Sequence, residues 1–126
     1  MERAKPNSRV AVLGASPKED RYSFKAVKML KEHGHQPVPV HPRGHEVLGL
    51  TAAKSLSEID ELVDTLTVYV NSKISSAALD EILKLNPRRV VFNPGAENPA
   101  LAARLRDEGV EVVEACTLVM LRTDQF

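Results

Sequence analysis

Four short stretches of this chain carry residue types suited to holding phosphate groups. Gly14-Ala15-Ser16-Pro17-Lys18 follows an apolar run, with Arg21 and Ser23 just beyond it. His41-Pro42-Arg43 closes a second run, and Val70-Asn71-Ser72 and Asn93-Pro94-Gly95 close two more. Small and hydroxyl side chains let backbone N–H groups approach phosphate oxygens closely, and Lys18, Arg21 and Arg43 supply charge-assisted contacts. No pattern for covalent or acid–base chemistry accompanies them. There is no Ser/His/Asp arrangement with supporting motifs and no paired carboxylate site. His33, His35, His41 and His45 flank a turn, and the single Cys116 has no second thiol, so no zinc spacing is present.

The elements that must position these stretches follow from the apolar pattern. Strands are predicted near 9–14, 36–40, 65–70, 89–93 and 110–114, where apolar, mostly β-branched runs occur. The two prolines of the second run point to a sheet edge. Helical patterns fall over 23–34, 55–63, 75–86 and 97–109, with a final apolar turn or helix at 116–121. Phe24, Val27 and Leu30 share a face, and Gly34 stops that helix. Ser57 is expected to cap the second, with Asp60 three residues on. Asn98, Pro99 and Gly109 bracket the fourth. Strand–helix alternation gives an α/β fold: a Rossmann-like, doubly wound parallel sheet of five strands in three layers, in order 2-1-3-4-5. Residues 46–50 offer one further edge strand. One domain over 1–126, with its core at 8–122, accounts for the length.

In such sheets a ligand sits beyond the carboxyl ends of the strands, where strand order reverses. All four stretches converge there, and the helix beginning near Ser23 aims its positive end at the same place. Each piece also has a plain structural use: Gly14 in a tight turn, Ser16 and Ser23 as caps, Lys18 and Arg21 as solvated charges, the Asn residues in turns. Convergence favours the site. A dinucleotide loop would read G-x-G where this chain has Gly14-Ala15-Ser16, and an NAD site would place an acidic residue where Arg43 stands.

At these residues the chain resembles the CoA-binding domain family, the small module also found at the front of the succinyl-CoA synthetase α subunit, and most of all its stand-alone bacterial members. The matching pieces are VAVLGASPKEDRYSFKAVKML, VPVHPRGHEVLGL, TLTVYVNS and VVFNPGAENPALAARLRDEGVEVVEACTLVML, across roughly residues 8–122. The resemblance implies coenzyme A, free or acylated, as cofactor. It implies Ala15-Ser16-Pro17-Lys18 at the diphosphate, Pro42 and Arg43 near the adenosine and its 3′-phosphate, and Val70-Asn71-Ser72 along the pantetheine arm. It does not carry over the synthetase's ligase activity, because none of the four histidines matches its phosphohistidine.

The bulk composition narrows the partners. With 17 basic and 17 acidic residues and a formal net charge of zero, neither nucleic acid nor an anionic membrane is expected. No apolar run approaches a membrane span, the N-terminus lacks a signal peptide's core, and one cysteine suits the cytoplasm. The expected partner is a small nucleotide ligand bound without catalysis. An NAD(P)-binding module or redox sensor is the alternative, since Arg43 suits NADP's 2′-phosphate equally; a dehydrogenase would need a proton donor that is not evident. A receiver domain is disfavoured because the strand ends lack clustered acids. The CTLVML segment at 116–121 reads either as core or as a homodimer surface, and an acyl-CoA enzyme partner is open. Cys116 reads as inert core or as a thiol within reach of the CoA thiol.

Overall fold

The computed structural model describes residues 2–126. Five parallel strands form one sheet: β1 (Arg9–Leu13), β2 (Gln36–Val40), β5 (Thr65–Val68), β6 (Arg89–Phe92) and β7 (Glu111–Glu114), in spatial order β2-β1-β5-β6-β7. This is the expected fold and strand order, and β2 with its two prolines lies at an edge. β1, β5 and β6 end one or two residues short of the expected limits, β2 keeps them, and β7 starts one residue late. The helices are α1 (Tyr22–Glu32), α2 (Ser72–Ala77), α3 (Leu79–Leu85), α4 (Pro99–Asp107) and α5 (Thr117–Arg122).

Alternation along each strand sends side chains to two cores. Ala11, Leu13, Leu66, Val68, Val90 and Phe92 face one side, where Ile82 of α3 and Leu101 and Leu105 of α4 cover them. Val10, Val12 and Val91 face the other, packed on Phe24, Val27 and Leu30 of α1 and Met120 and Leu121 of α5. Burial on both faces explains why the strands read as continuous apolar runs. Among the described residues no helix is long and apolar enough to cross a membrane.

Three expectations are corrected. Residues 46–50 do not extend the sheet. They form a two-stranded antiparallel hairpin, β3 (Glu46–Val47) with β4 (Leu50–Thr51), turned by Leu48 and Gly49 at positive φ. The chain then returns to the β2 edge through a single bridge between Val40 and Ala53. The helix over 55–63 is only a 3₁₀ turn at Leu56–Glu58, and Ser57 caps nothing: its N–H donates to the Glu81 carboxylate at 3.2 Å. Leu56 and Val63 reach the core from a mostly extended segment while Leu62 stays 90% exposed, so a longer helix would gain no further burial. The helix over 75–86 is two pieces. Asn71 caps α2 by accepting from Ile74 N–H, Ala78 breaks the run, and Asn86 ends α3 in the left-handed region.

At the N-terminal edge of the sheet, Arg88 grips Asp64 with two bonds, Nε to Oδ1 at 2.8 Å and a second nitrogen to Oδ2 at 3.2 Å. Burial opposes the Asp64 charge, but the Arg88 and Thr65 hydrogen bonds outweigh it and hold the carboxyl below its usual range. A lowered folded-state value means the pair stabilises the fold above the ordinary carboxyl range and loses that contribution as pH falls through the folded value. Arg88→Met is therefore expected to cost about 1 kcal/mol at pH 7 and much less near pH 2.5. Urea unfolding of both proteins at the two pH values checks this; an equal loss at both would contradict it.

Candidate functional site

The loop from Gly14 to Arg21 joins β1 to α1 across the C-terminal edge of the sheet. Gly14 takes φ +89°, and a Cβ there would stand 2.7 Å from Val70 Cγ1 and 3.3 Å from the Tyr69 carbonyl group. Only glycine lets β1 and the end of β5 come this close. Gly14 and Ala15 N–H both donate to the Val40 carbonyl, which pins the loop to the end of β2.

Ser16 holds the loop from within. Its N–H donates to Ser23 Oγ at 3.1 Å, and its own Oγ accepts from Lys18 N–H at 3.1 Å. Ser23 is thus engaged with the loop and does not cap its helix. Arg21 occupies the cap position of α1. Among the described residues no side chain caps this first turn, and it contains no acidic residue. The first-turn N–H groups and the positive end of an 11-residue helix therefore open beside the loop.

Two adjoining hollows share Gly14, Ser16 and Arg21. One, about 310 Å³, runs towards Tyr22, Ser23, Tyr69, Val70, Asn71 and the turn at Pro94–Ala96. The other, about 410 Å³, runs towards Pro17, Lys18, His41, Arg43 and His45. Together they form a cleft over the strand-order reversal between β1 and β5. A larger hollow of about 580 Å³ lies at the far end of the sheet, between the N-terminal segment, His33, His35 and Phe126, and takes in none of the expected site residues.

The structure brings Gly14, Ser16, Pro17, Lys18, Arg21, Ser23, His41, Arg43, Val70, Asn71 and Gly95 onto this cleft. Four others stand off its walls. Ala15 turns its side chain into the core on the α1 side. Pro42 is exposed beside the cleft, and Ser72 opens α2. Asn93 is 2% exposed and spends its side chain on the fold: Nδ2 donates to Thr67 Oγ1 at 2.7 Å and to the Val68 carbonyl at 2.9 Å, while Oδ1 accepts from Thr117 N–H at 2.8 Å. Cys116, half-buried at the cap of α5, lines neither hollow.

Sequence reasoning missed Tyr22, Tyr69, Ala96 and His45 as wall residues, while Pro94 lines the cleft from the expected Asn93-Pro94-Gly95 turn. Tyr22 was legible as a large aromatic at the first position of the helix, and it stands 69% exposed. Burial, with Cys116 close by, pushes the Tyr69 hydroxyl well above its usual range and keeps it neutral. His45 enters because its Nε2 reaches the Ala15 carbonyl at 3.0 Å, a contact between residues thirty apart that no local pattern reveals. Among the described residues no group of three or more His, Cys, Asp or Glu side chains could hold a metal ion. The arrangement suits an elongated, phosphate-bearing molecule lying across the strand ends, with cations at one end and a neutral, partly aromatic wall at the other.

Comparison with known proteins agrees with that geometry. The model of the CoA binding domain family matches residues 8–122. Uncharacterized protein YneT of Bacillus subtilis is 30% identical over 107 residues, covering 85% of this chain and 79% of that protein. Acetate–CoA ligase [ADP-forming] I of Archaeoglobus fulgidus is 32% identical over 107 residues, but these are 83% of this chain and 16% of the ligase. A crystal structure of an uncharacterized protein superposes with a TM-score of 0.91 at 42% identity, over 97% of this chain and all of that one, a coverage of 100%.

Proposed function

Because the chain belongs to the CoA-binding domain family, we propose that it binds coenzyme A, free or acylated, in the cleft over β1 and β5 and performs no chemistry on it. The observation that carries this reading is the uncapped first turn of α1, open beside the Gly14–Lys18 loop with Lys18, Arg21 and Arg43 around it. A diphosphate fits there: the open N–H groups of the first turn of α1 contact its oxygens beside the loop, and the cations neutralise it. Pro42 and Arg43 meet the adenosine and its 3′-phosphate. The pantetheine arm runs past Val70, Asn71 and Ser72 towards Gly95, with Asn93 supporting that wall from behind. The protein then works as a carrier or sensor of that ligand in the cytoplasm. A partner enzyme, or a second copy of the chain, would meet the exposed thiol end.

Arg43 is the residue that separates CoA from nucleotides lacking the ribose phosphate. It is exposed, and no salt-bridge partner for its side chain occurs among the described residues. A charge-assisted contact is worth roughly 1.5–3 kcal/mol. Arg43→Ala is expected to weaken CoA about tenfold and leave dephospho-CoA nearly unchanged, at 1.4 kcal/mol per tenfold. Calorimetric titration with CoA, dephospho-CoA and NAD tests the reading, and native mass spectrometry of the freshly purified protein tests for a retained ligand. Equal affinity for CoA and dephospho-CoA would remove Arg43's role. Preference for NAD or NADP would transfer the site to a dinucleotide.

A further inference from the structure

The chain has two tyrosines, three phenylalanines and no tryptophan. Phe24, Phe92 and Phe126 are buried in the two cores. Both tyrosines instead line one hollow of the cleft, the one that runs from Gly14 towards the Pro94–Ala96 turn. The Tyr69 hydroxyl is buried, so what this residue offers the hollow is its ring. Tyr22 is the first residue of α1 and stays 69% exposed, with the Lys25 ammonium 5.5 Å from the centre of its ring. It belongs to neither core, and a side chain this exposed adds little to the stability of the fold.

The rest of that hollow is close to neutral. Val70, Pro94 and Ala96 are apolar. Among the described residues, Arg21 is the one charged side chain lining it, and Arg21 is shared with the cationic hollow. An uncharged, partly apolar chain suits such walls better than a second set of phosphates does. Position along the ligand then decides what Tyr22 meets. Its ring belongs to the same helical turn whose open N–H groups are assigned to the diphosphate. It therefore meets the group that follows the diphosphate. In coenzyme A that group is the branched pantoate segment, a carbon bearing two methyl groups, which precedes the two amides and the thiol.

We infer that Tyr22 is a specificity residue of the cleft. Together with the Tyr69 ring, it covers the dimethyl segment of the pantetheine arm and selects ligands with a branched aliphatic group beside their diphosphate over nucleotides that lack one. This rests on the CoA reading and deepens it: Arg43 reads the ribose phosphate, and Tyr22 reads the arm. The contact needs an apolar surface of the right size; it does not need the phenol hydroxyl or a flat ring.

The test is calorimetric titration of the wild type, Tyr22→Phe, Tyr22→Leu and Tyr22→Ala with two ligands, CoA and its nucleotide half, adenosine 3′-phosphate 5′-diphosphate. Because Tyr22 is exposed, all three variants are expected to fold as the wild type does. Tyr22→Ala is expected to weaken CoA about fivefold to tenfold, as loss of one apolar contact of this size would, and to leave the nucleotide half unchanged. Tyr22→Phe and Tyr22→Leu are expected to stay within about twofold of the wild type for both ligands. CoA bound by Tyr22→Ala at wild-type strength, or an equal loss for CoA and its nucleotide half, would overturn the assignment and leave the CoA site standing. A loss in Tyr22→Leu as large as that in Tyr22→Ala would mean a ring stacked on the base, and would overturn it as well. If neither ligand binds the wild type, the CoA reading and this one fail together.

Discussion

Ser16→Phe is expected to weaken CoA and dephospho-CoA together, by about a hundredfold, while Arg43→Ala weakens only the first. Ser16 stands where the two hollows join, and both include it. A phenyl ring there would fill the space assigned to the diphosphate and separate the cationic end from the aromatic one. The loss of two charge-assisted hydrogen bonds corresponds to about 3 kcal/mol or more, hence about two decades in affinity. The serine's bond to Lys18 N–H would also go, at a cost of about 1 kcal/mol in loop order. Ser16→Ala isolates that smaller term and should bind nearly as the wild type does. Calorimetry with all three proteins and both nucleotides separates the effects. Unimpaired binding by Ser16→Phe would place the diphosphate elsewhere.

The largest expected loss of stability follows replacement of Asn93. Its side chain joins β5 to the start of α5 through the Thr67 hydroxyl, the Val68 carbonyl and Thr117 N–H, and Thr67 Oγ1 in turn lies 2.8 Å from Thr117 Oγ1. Asn93→Leu conserves volume but orphans Thr117 N–H and leaves the Val68 carbonyl with only a long bond of 3.4 Å from Asn93 N–H. Leaving buried polar groups unsatisfied costs about 1–3 kcal/mol each, so the variant should lose about 3 kcal/mol. Equilibrium urea unfolding measures it. A loss below about 1 kcal/mol would mean that the network relaxes onto water, since removal of a single satisfied bond costs about that much. CoA affinity of the folded variant should change little, because the side chain lies behind the cleft wall.

Asn93 also illustrates how far local pattern reaches. An Asn-Pro-Gly after an apolar run is turn chemistry or ligand chemistry by sequence alone. Thr67 and Thr117 decide between them, and they approach only when β5, β6 and α5 are assembled. Asn71 follows the same logic on a shorter range. It lines the cleft, yet its Oδ1 is spent on capping α2, which starts earlier than the apolar spacing of 75–86 suggested.

The five strands, their order and the placing of β2 at an edge were legible because each is a local matter. A strand buried on both faces needs only a short β-branched run, and right-handed crossovers leave few ways to connect such runs. The same locality made Gly14, Asn98 and the loop cations readable. What the residues could not state by themselves was which weak helical patterns would persist. Leu56, Ile59 and Val63 have helical spacing, but the core beneath them is reached equally well by a 3₁₀ turn and extended chain, and burial outweighs the small intrinsic preference of so short a segment. The hairpin at 46–51 turned on Leu48 and Gly49 taking positive φ together. The stacking of His45 on His41 and its bond to Ala15 depended on that same turn closing against the loop after β1. Sequence determined the sheet through short-range periodicity, and the stretches that close its strands marked where the site would lie. Tertiary structure decided which polar side chains face the cleft and which are consumed in building it, because hydrogen-bond partners far apart in the chain meet only after the layers have packed.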